Sequence, residues 1–185
     1  MAPRKTPRPP TSLDLDERAL YDAITGGPRA AGPQHFALTA DDGSLNGPFD
    51  AFLLSPAVGT ALQELGSAIR YRTHLDDRCR ELAILLVAAH WDSTFEREAH
   101  EAIARSVGFD EETLAAVRAR ELSPFTGIEL AVGRATLSLL DGDLDDRAWA
   151  EAADALGANG VFELSSLVGY YGTLALQLRV FRVGT

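Results

Sequence analysis

Between Glu81 and His90 the chain runs LAILLVAA without a polar side chain. Wound as a helix, this segment is apolar on every side, so no face of it can be left in water and the rest of the protein must enclose it. It is also far short of the ~20 residues that cross a bilayer. The sequence therefore predicts a central, buried helix over residues 78–91, with the other elements packed around it. The means to do so are present: 46% of 185 residues are hydrophobic and 24% charged, the balance of an ordinary soluble domain. A chain of this length buries roughly 70% of the surface it exposes when unfolded, enough for a core without a metal or a disulfide.

Around that helix the patterning is helical and only helical. From residue 57 onward, apolar positions recur at helical spacing, with breaks at His74-Leu75, Asp92-Ser93, Gly108, Ser123-Pro124, Gly142 and the stretch from Gly157 to Gly160. That gives about six helices in a single all-α domain over 57–185. Ser123-Pro124 reads as a helix start, a serine cap followed by a proline whose missing donor costs nothing in the first turn. The last helix sets Leu164, Val168, Tyr171, Ala175 and Leu178 on one stripe, with Glu163, Ser166, Tyr170 and Gln177 beside it. Ahead of this body, residues 1–12 are basic and proline-rich and read as a disordered, solvated arm. Within 13–56, a short helix over 13–24 is followed by a glycine- and proline-punctuated loop. Its His35, Phe36, Phe49, Phe52 and Leu53 are expected to pack on the body as the wall or lid of a pocket.

Charge and cysteine usage remove several function classes. A net charge of −10 repels phosphate backbones and anionic lipid, so no nucleic-acid or membrane partner is expected. The single Cys79 allows neither an internal disulfide nor a CxxC pair nor a zinc-binding thiolate cluster, which makes the cytoplasm the expected compartment. No glycine-rich turn stands between a strand and a helix, and no HExxH spacing occurs. Neither a nucleotide cofactor nor a metal is expected.

What chemistry remains is concentrated near the central helix. Glu96 and His100, four residues apart, lie on the edge of the apolar stripe of a helix over 94–107. A carboxylate within reach of an imidazole fixes its tautomer and raises its basicity, which suits a general base; the plainer alternative is a helix-surface contact worth a few tenths of a kcal/mol. Glu81, opening the apolar run, is either a further member of such a relay or a helix-start carboxylate paired with Arg78 or Arg80. Arg70, Arg72 and Arg80 belong to a basic island in an acidic chain, suited to a substrate carboxylate or to pairing with Asp76, Asp77 and Glu81. His90, Trp91 and Ser93 at the end of the central helix, and Tyr170 between Gly169 and Tyr171, complete the candidates for lining a substrate site. Tyr171 and Cys79 read as core.

The stretch RCRELAILLVAAHWDSTFEREAHEAIARSVGF, with ELSSLVGYYGTLALQL after it, resembles the carboxymuconolactone decarboxylase and alkylhydroperoxidase-like superfamily over most of the chain from Leu54 to Val180. The resemblance implies an all-α fold with a buried central helix pair, assembled into symmetric dimers, trimers or hexamers. In the peroxidase branch a Glu opens the first helix, a CxxC follows, and a His stands four residues after the second Cys. Glu81 and His100 match the first and last of these, while Ser93 and Glu96 fall where the cysteines would be. Neither side chain can act as a nucleophilic or resolving thiol, so dithiol peroxidase chemistry is not expected. The decarboxylase branch has a Glu and a His at the spacing of EREAH, which carries over to Glu96 and His100.

The function these readings imply is a cofactor-independent acid–base enzyme, most like a decarboxylating lyase, acting on a small carboxylated or enolisable carbonyl compound. In it His100 moves the proton, Glu96 orients it, Glu81 extends the relay, and arginine holds the substrate's charge. Two alternatives stand beside it. One is a helical assembly or small-ligand binder that lost the chemistry; the other, weaker, is an oxidoreductase relying on Cys79.

Overall fold

The computed structural model describes residues 4–27 and 36–183. Every regular element in it is helical, and the one β feature is an isolated bridge between Thr39 and Leu45. In order the elements are a 3₁₀ turn at Pro10–Ser12, then α1 (Leu15–Thr25), α2 (Pro48–Phe52), α3 (Pro56–Tyr71), α4 (Asp77–Trp91), α5 (Thr94–Ser106), α6 (Glu111–Arg118), α7 (Gly127–Asp141) and α8 (Asp146–Phe181). None is long and apolar enough to cross a membrane. The described chain divides into two compact units, one running to Ala68 and taking in the chain from Leu176, the other Ile69–Ala175.

In the second unit α4 lies where its composition requires. Asp76 caps it by accepting from the Cys79 N–H at 2.7 Å, and Asp92, in the left-handed conformation, ends it. Every residue from Glu81 to Ala88 is buried. Leu82, Leu85 and Leu86 pack with Ala104 of α5, with Leu114 and Val117 of α6, and with Phe109 and Phe125 outside the helices, while Leu130 and Leu137 of α7 close against them. Burying a leucine fully is worth about 2 kcal/mol, so this cluster is what fixes α4 among its neighbours.

The helix expected to start at Ser123-Pro124 starts later. Gly127 has φ +56°, left-handed backbone that a right-handed helix cannot run through. Pro124 therefore sits in a turn in which the Phe125 N–H donates to the Leu122 carbonyl at 3.1 Å, and α7 begins at Gly127. The break expected between Gly157 and Gly160 falls at Gly157, whose φ +68° and ψ 166° are non-helical and divide α8 into two helical stretches that meet at a kink.

The first unit is more ordered than its glycines and prolines suggest. Asp14 and Glu17 form a reciprocal capping box at the start of α1. The expected loop over 26–56 contains the Thr39–Leu45 bridge and α2, with Phe49 stacked on Phe36 and edge-on to Phe52. Pro28, Pro33 and His35 of that stretch lie outside the described residues. The basic arm is docked rather than solvated over residues 4–12, because its cations find buried carboxylates. Lys5 Nζ meets Asp50 Oδ1 at 2.6 Å with both side chains buried, and Arg8 pairs with Glu17.

Candidate active site

All groups of the candidate site belong to the second unit. Glu81 is the fifth residue of α4 and faces inward with 1% exposure. A carboxylate so placed must find a partner, since an unpaired buried charge is prohibitively costly. Its partner is His100 of α5: Nδ1 and Glu81 Oε2 are 2.6 Å apart, in a bond buried at both ends. With Glu81 ionised it accepts, and the Nδ1–H of His100 donates. The other ring nitrogen, Nε2, faces Glu96 Oε2 at 3.6 Å, an ion-pair separation longer than a hydrogen bond. One imidazole thus lies between two buried carboxylates, one on each nitrogen.

Two further groups complete the surroundings. The Tyr171 ring from α8 stands edge-on to the His100 ring, 5.2 Å between centroids, and Tyr170 stands edge-on to Tyr171 at the same separation. Arg80 approaches from the helix start, its Nε 3.8 Å from Glu81 Oε1, while its Nη2 donates to Asp77 and its Nη1 to the Leu75 carbonyl. Among the described residues no group of three or more His, Cys, Asp or Glu is disposed to hold a metal ion.

The structure brings together Glu81, Glu96, His100 and Arg80, and it divides the carboxylates differently from the sequence reading. Glu81, expected at the far end of a relay, makes the short bond; Glu96, expected to orient His100, is the more distant one on the opposite nitrogen. The reason is geometric, because residues four apart on one helix meet only obliquely, whereas α4 and α5 present Glu81 and His100 face to face. Of the other candidates, Tyr170 stands on Tyr171, and Arg70, His90 and Trp91 make contacts of their own. Arg70 lies over the Tyr71 ring at 5.8 Å, Arg72 is exposed, and exposed His90 packs edge-on against half-buried Trp91. Ser93 is the buried N-cap of α5, without a side-chain cap bond. Tyr170 is 4% exposed, as deeply set as Tyr171.

Sequence reasoning passed over Tyr171, which its apolar stripe assigned to the core although it is the aromatic ring on the histidine. It also left unread the ion-pair cluster in which Arg118 grips Glu101 with bonds of 2.6 and 2.7 Å and Arg105 joins both Glu101 and Glu111. Arg118 holds the Glu101 carboxyl below the usual range. Cys79 is buried, and burial, with Asp76 beside it, pushes its thiol up to about 12. At pH 8 roughly one molecule in ten thousand would carry the thiolate that redox and nucleophilic chemistry need.

No curated protein matches the chain. Residues 56–136 match the family model described as Carboxymuconolactone decarboxylase family. The matched stretch takes in α3 to most of α7 and ends before α8, so the likeness noted in ELSSLVGYYGTLALQL falls outside it. The segment that places Glu81 against His100 is thus similar to that family, over a stretch that spans less than half of the chain.

Proposed function

We propose that the protein is a cofactor-independent acid–base enzyme acting on a small carboxylated or enolisable carbonyl compound, by decarboxylation or isomerisation. The observation that carries this reading is the buried 2.6 Å bond from His100 Nδ1 to Glu81, with Nε2 turned to Glu96. A carboxylate on Nδ1 holds the ring in one orientation and stabilises the imidazolium that forms when Nε2 takes a proton. Glu96, on the same side as Nε2, is placed to receive that proton or return it. Enclosure strengthens each of these interactions, because little water screens them. For a decarboxylation Nε2, protonated from solvent, delivers that proton to the carbon that loses carbon dioxide; for an isomerisation it takes one from the substrate and gives it back.

The partner in this proposal is a small anion or carbonyl compound, drawn toward Arg70 and Arg72 in an otherwise acidic protein. His90, Trp91, Ser93 and Tyr170 remain proposed contributors to its binding. We further propose a homo-oligomer in the cytoplasm. Ile128, Trp149 and Phe162 are exposed large apolar residues, of the kind that subunit contacts cover, and the lone cysteine is buried and unpaired.

The test does not need the natural substrate. A panel of small oxo acids and β-carbonyl acids is incubated with the protein in heavy water, and NMR follows deuterium entering beside the carbonyl and loss of carbon dioxide. Turnover without added cofactor is expected, falling ~10²–10⁴-fold in His100→Gln, while Arg72→Ala mainly raises KM. Turnover unchanged in a folded His100→Gln variant would move the chemistry elsewhere. No His100-dependent reaction on any compound would favour the non-catalytic ligand-binding alternative.

A further inference from the structure

The bond to Glu81 sets the orientation of the His100 imidazole, but one bond does not lock it. When it breaks, the ring is free to make a half-turn about its Cβ–Cγ bond, which exchanges Nδ1 with Cδ2 and Nε2 with Cε1. Glu96, 3.6 Å from Nε2, is beyond hydrogen-bond distance and opposes that turn weakly. The Tyr171 ring stands edge-on to the imidazole, 5.2 Å between centroids and 87° between planes, and Tyr170 stands on Tyr171 at the same separation and angle. All three rings are buried, and in a close-packed interior a ring cannot sweep through a half-turn unless its neighbours give way. Tyr171 has a fixed base from which to resist. About two turns before it, Glu163 accepts from the backbone N–H of His74 at 2.8 Å and lies 2.9 Å from Nδ1 of the same residue. On its other side, a Cβ on Gly172 would come 3.4 Å from Nε1 of Trp91, so α8 lies close against the end of α4.

We infer that Tyr171 is a positioning residue: its ring bars the half-turn of the imidazole and so keeps Nδ1 of His100 on Glu81 and Nε2 toward Glu96. The ring is the part that acts. It occupies the space through which the imidazole would swing, and edge-to-face packing favours the orientation it guards. Phenylalanine keeps that wall, whereas leucine fills less of the space and offers no flat ring. A turned imidazole presents carbon at both places where the acid–base reading needs nitrogen, and a molecule in that state is idle. Tyr171 therefore sets the fraction of molecules ready to react rather than their hold on substrate, so its loss falls on kcat and not on KM. This deepens the acid–base reading and rests on it for the consequence in turnover; the orientation of the ring is readable without any substrate.

The experiment is carbon NMR of the full-length protein labelled in the rings of its four histidines, with the His100 signals identified by their loss in His100→Gln. Wild type and Tyr171→Phe are expected to show one sharp set of His100 ring C–H signals, and Tyr171→Leu a second or an exchange-broadened set. On a compound that the heavy-water screen finds to turn over, kcat of Tyr171→Leu should lie about three- to tenfold below that of Tyr171→Phe, with KM within about twofold. A folded Tyr171→Leu variant with one sharp set overturns the inference, and so does a loss of turnover that falls on KM. Should that variant not fold, the other two proteins still decide: more than one set in wild type, or in Tyr171→Phe, overturns it. Absence of turnover in the heavy-water screen would leave the ring signals unaffected, so the two proposals fail separately.

Discussion

Cys79 shows how a residue's neighbourhood settles its chemistry. It is the one sulfur nucleophile in the chain, at a helix start, where the backbone dipole ordinarily favours a thiolate. Here burial outweighs the dipole, and Asp76, whose carboxylate caps the same turn, adds an adverse charge. The thiol stays protonated up to about 12. Two outcomes are expected. Iodoacetamide at pH 8 should leave the native protein unlabelled while alkylating it promptly in urea, and peroxide reduction with dithiol donors should be undetectable. Labelling of the native protein at the rate of a free thiol would show that the site is not enclosed as described. Glu81 makes the complementary point, since a carboxylate just as deeply set is retained because an imidazole and a guanidinium stand within 4 Å of it.

Among the elements, those whose signals are local were legible in the sequence and those set by distant contacts were not. The apolar run in α4, the aspartates that open α1 and the break at Asp92-Ser93 each act within a turn or two, and the all-α class followed from them. The start of α7 did not, because Ser123-Pro124 carries a good local signal that the left-handed Gly127 overrides. The site was legible as a set of residues and not as a wiring. Spacing could pair Glu96 with His100, but only the packing of α4 on α5 gives the short bond to Glu81. Two glycines let the local and the distant contributions be weighed against each other. A Cβ on Gly59 of α3 would lie 2.5 Å from the Phe52 carbonyl oxygen and 2.9 Å from its Cβ, whereas one on Gly169 of α8 meets nothing within 4 Å. Alanine gains about 1 kcal/mol of helix propensity over glycine at either position, but overpacking against backbone costs about 1–3 kcal/mol. Gly59→Ala should therefore lower the urea midpoint and Gly169→Ala raise it; an increase in both would mean that α3 does not approach α2 as closely as described.

Over the whole molecule, the least legible feature is the fastening of the amino-terminal arm, because nothing in a basic, proline-rich stretch announces where its cations will land. Lys5 lands on Asp50, and this buried pair within the first unit gives a prediction with a definite sign. Burial pushes the Asp50 carboxyl above the ordinary aspartate range, and Lys5, at hydrogen-bonding distance, pulls it part of the way back. A carboxyl raised in the folded state holds its proton more tightly there than when unfolded. Its contribution to stability is greatest below the ordinary aspartate range and is lost as pH rises through the folded value. Lys5 offsets that loss by matching the charge once it forms. Replacing Lys5 by Met removes the match and leaves the buried carboxylate only the weaker influence of Arg8, which should cost about 3 kcal/mol at neutral pH. In acid, where Asp50 is protonated in either protein, most of the difference should vanish. Urea unfolding of wild type and Lys5→Met at neutral and at acid pH measures both quantities. A deficit that is the same at the two pH values would mean that Lys5 acts through packing of its carbon chain rather than by compensating Asp50, and no deficit at either would mean that the arm is not docked in solution.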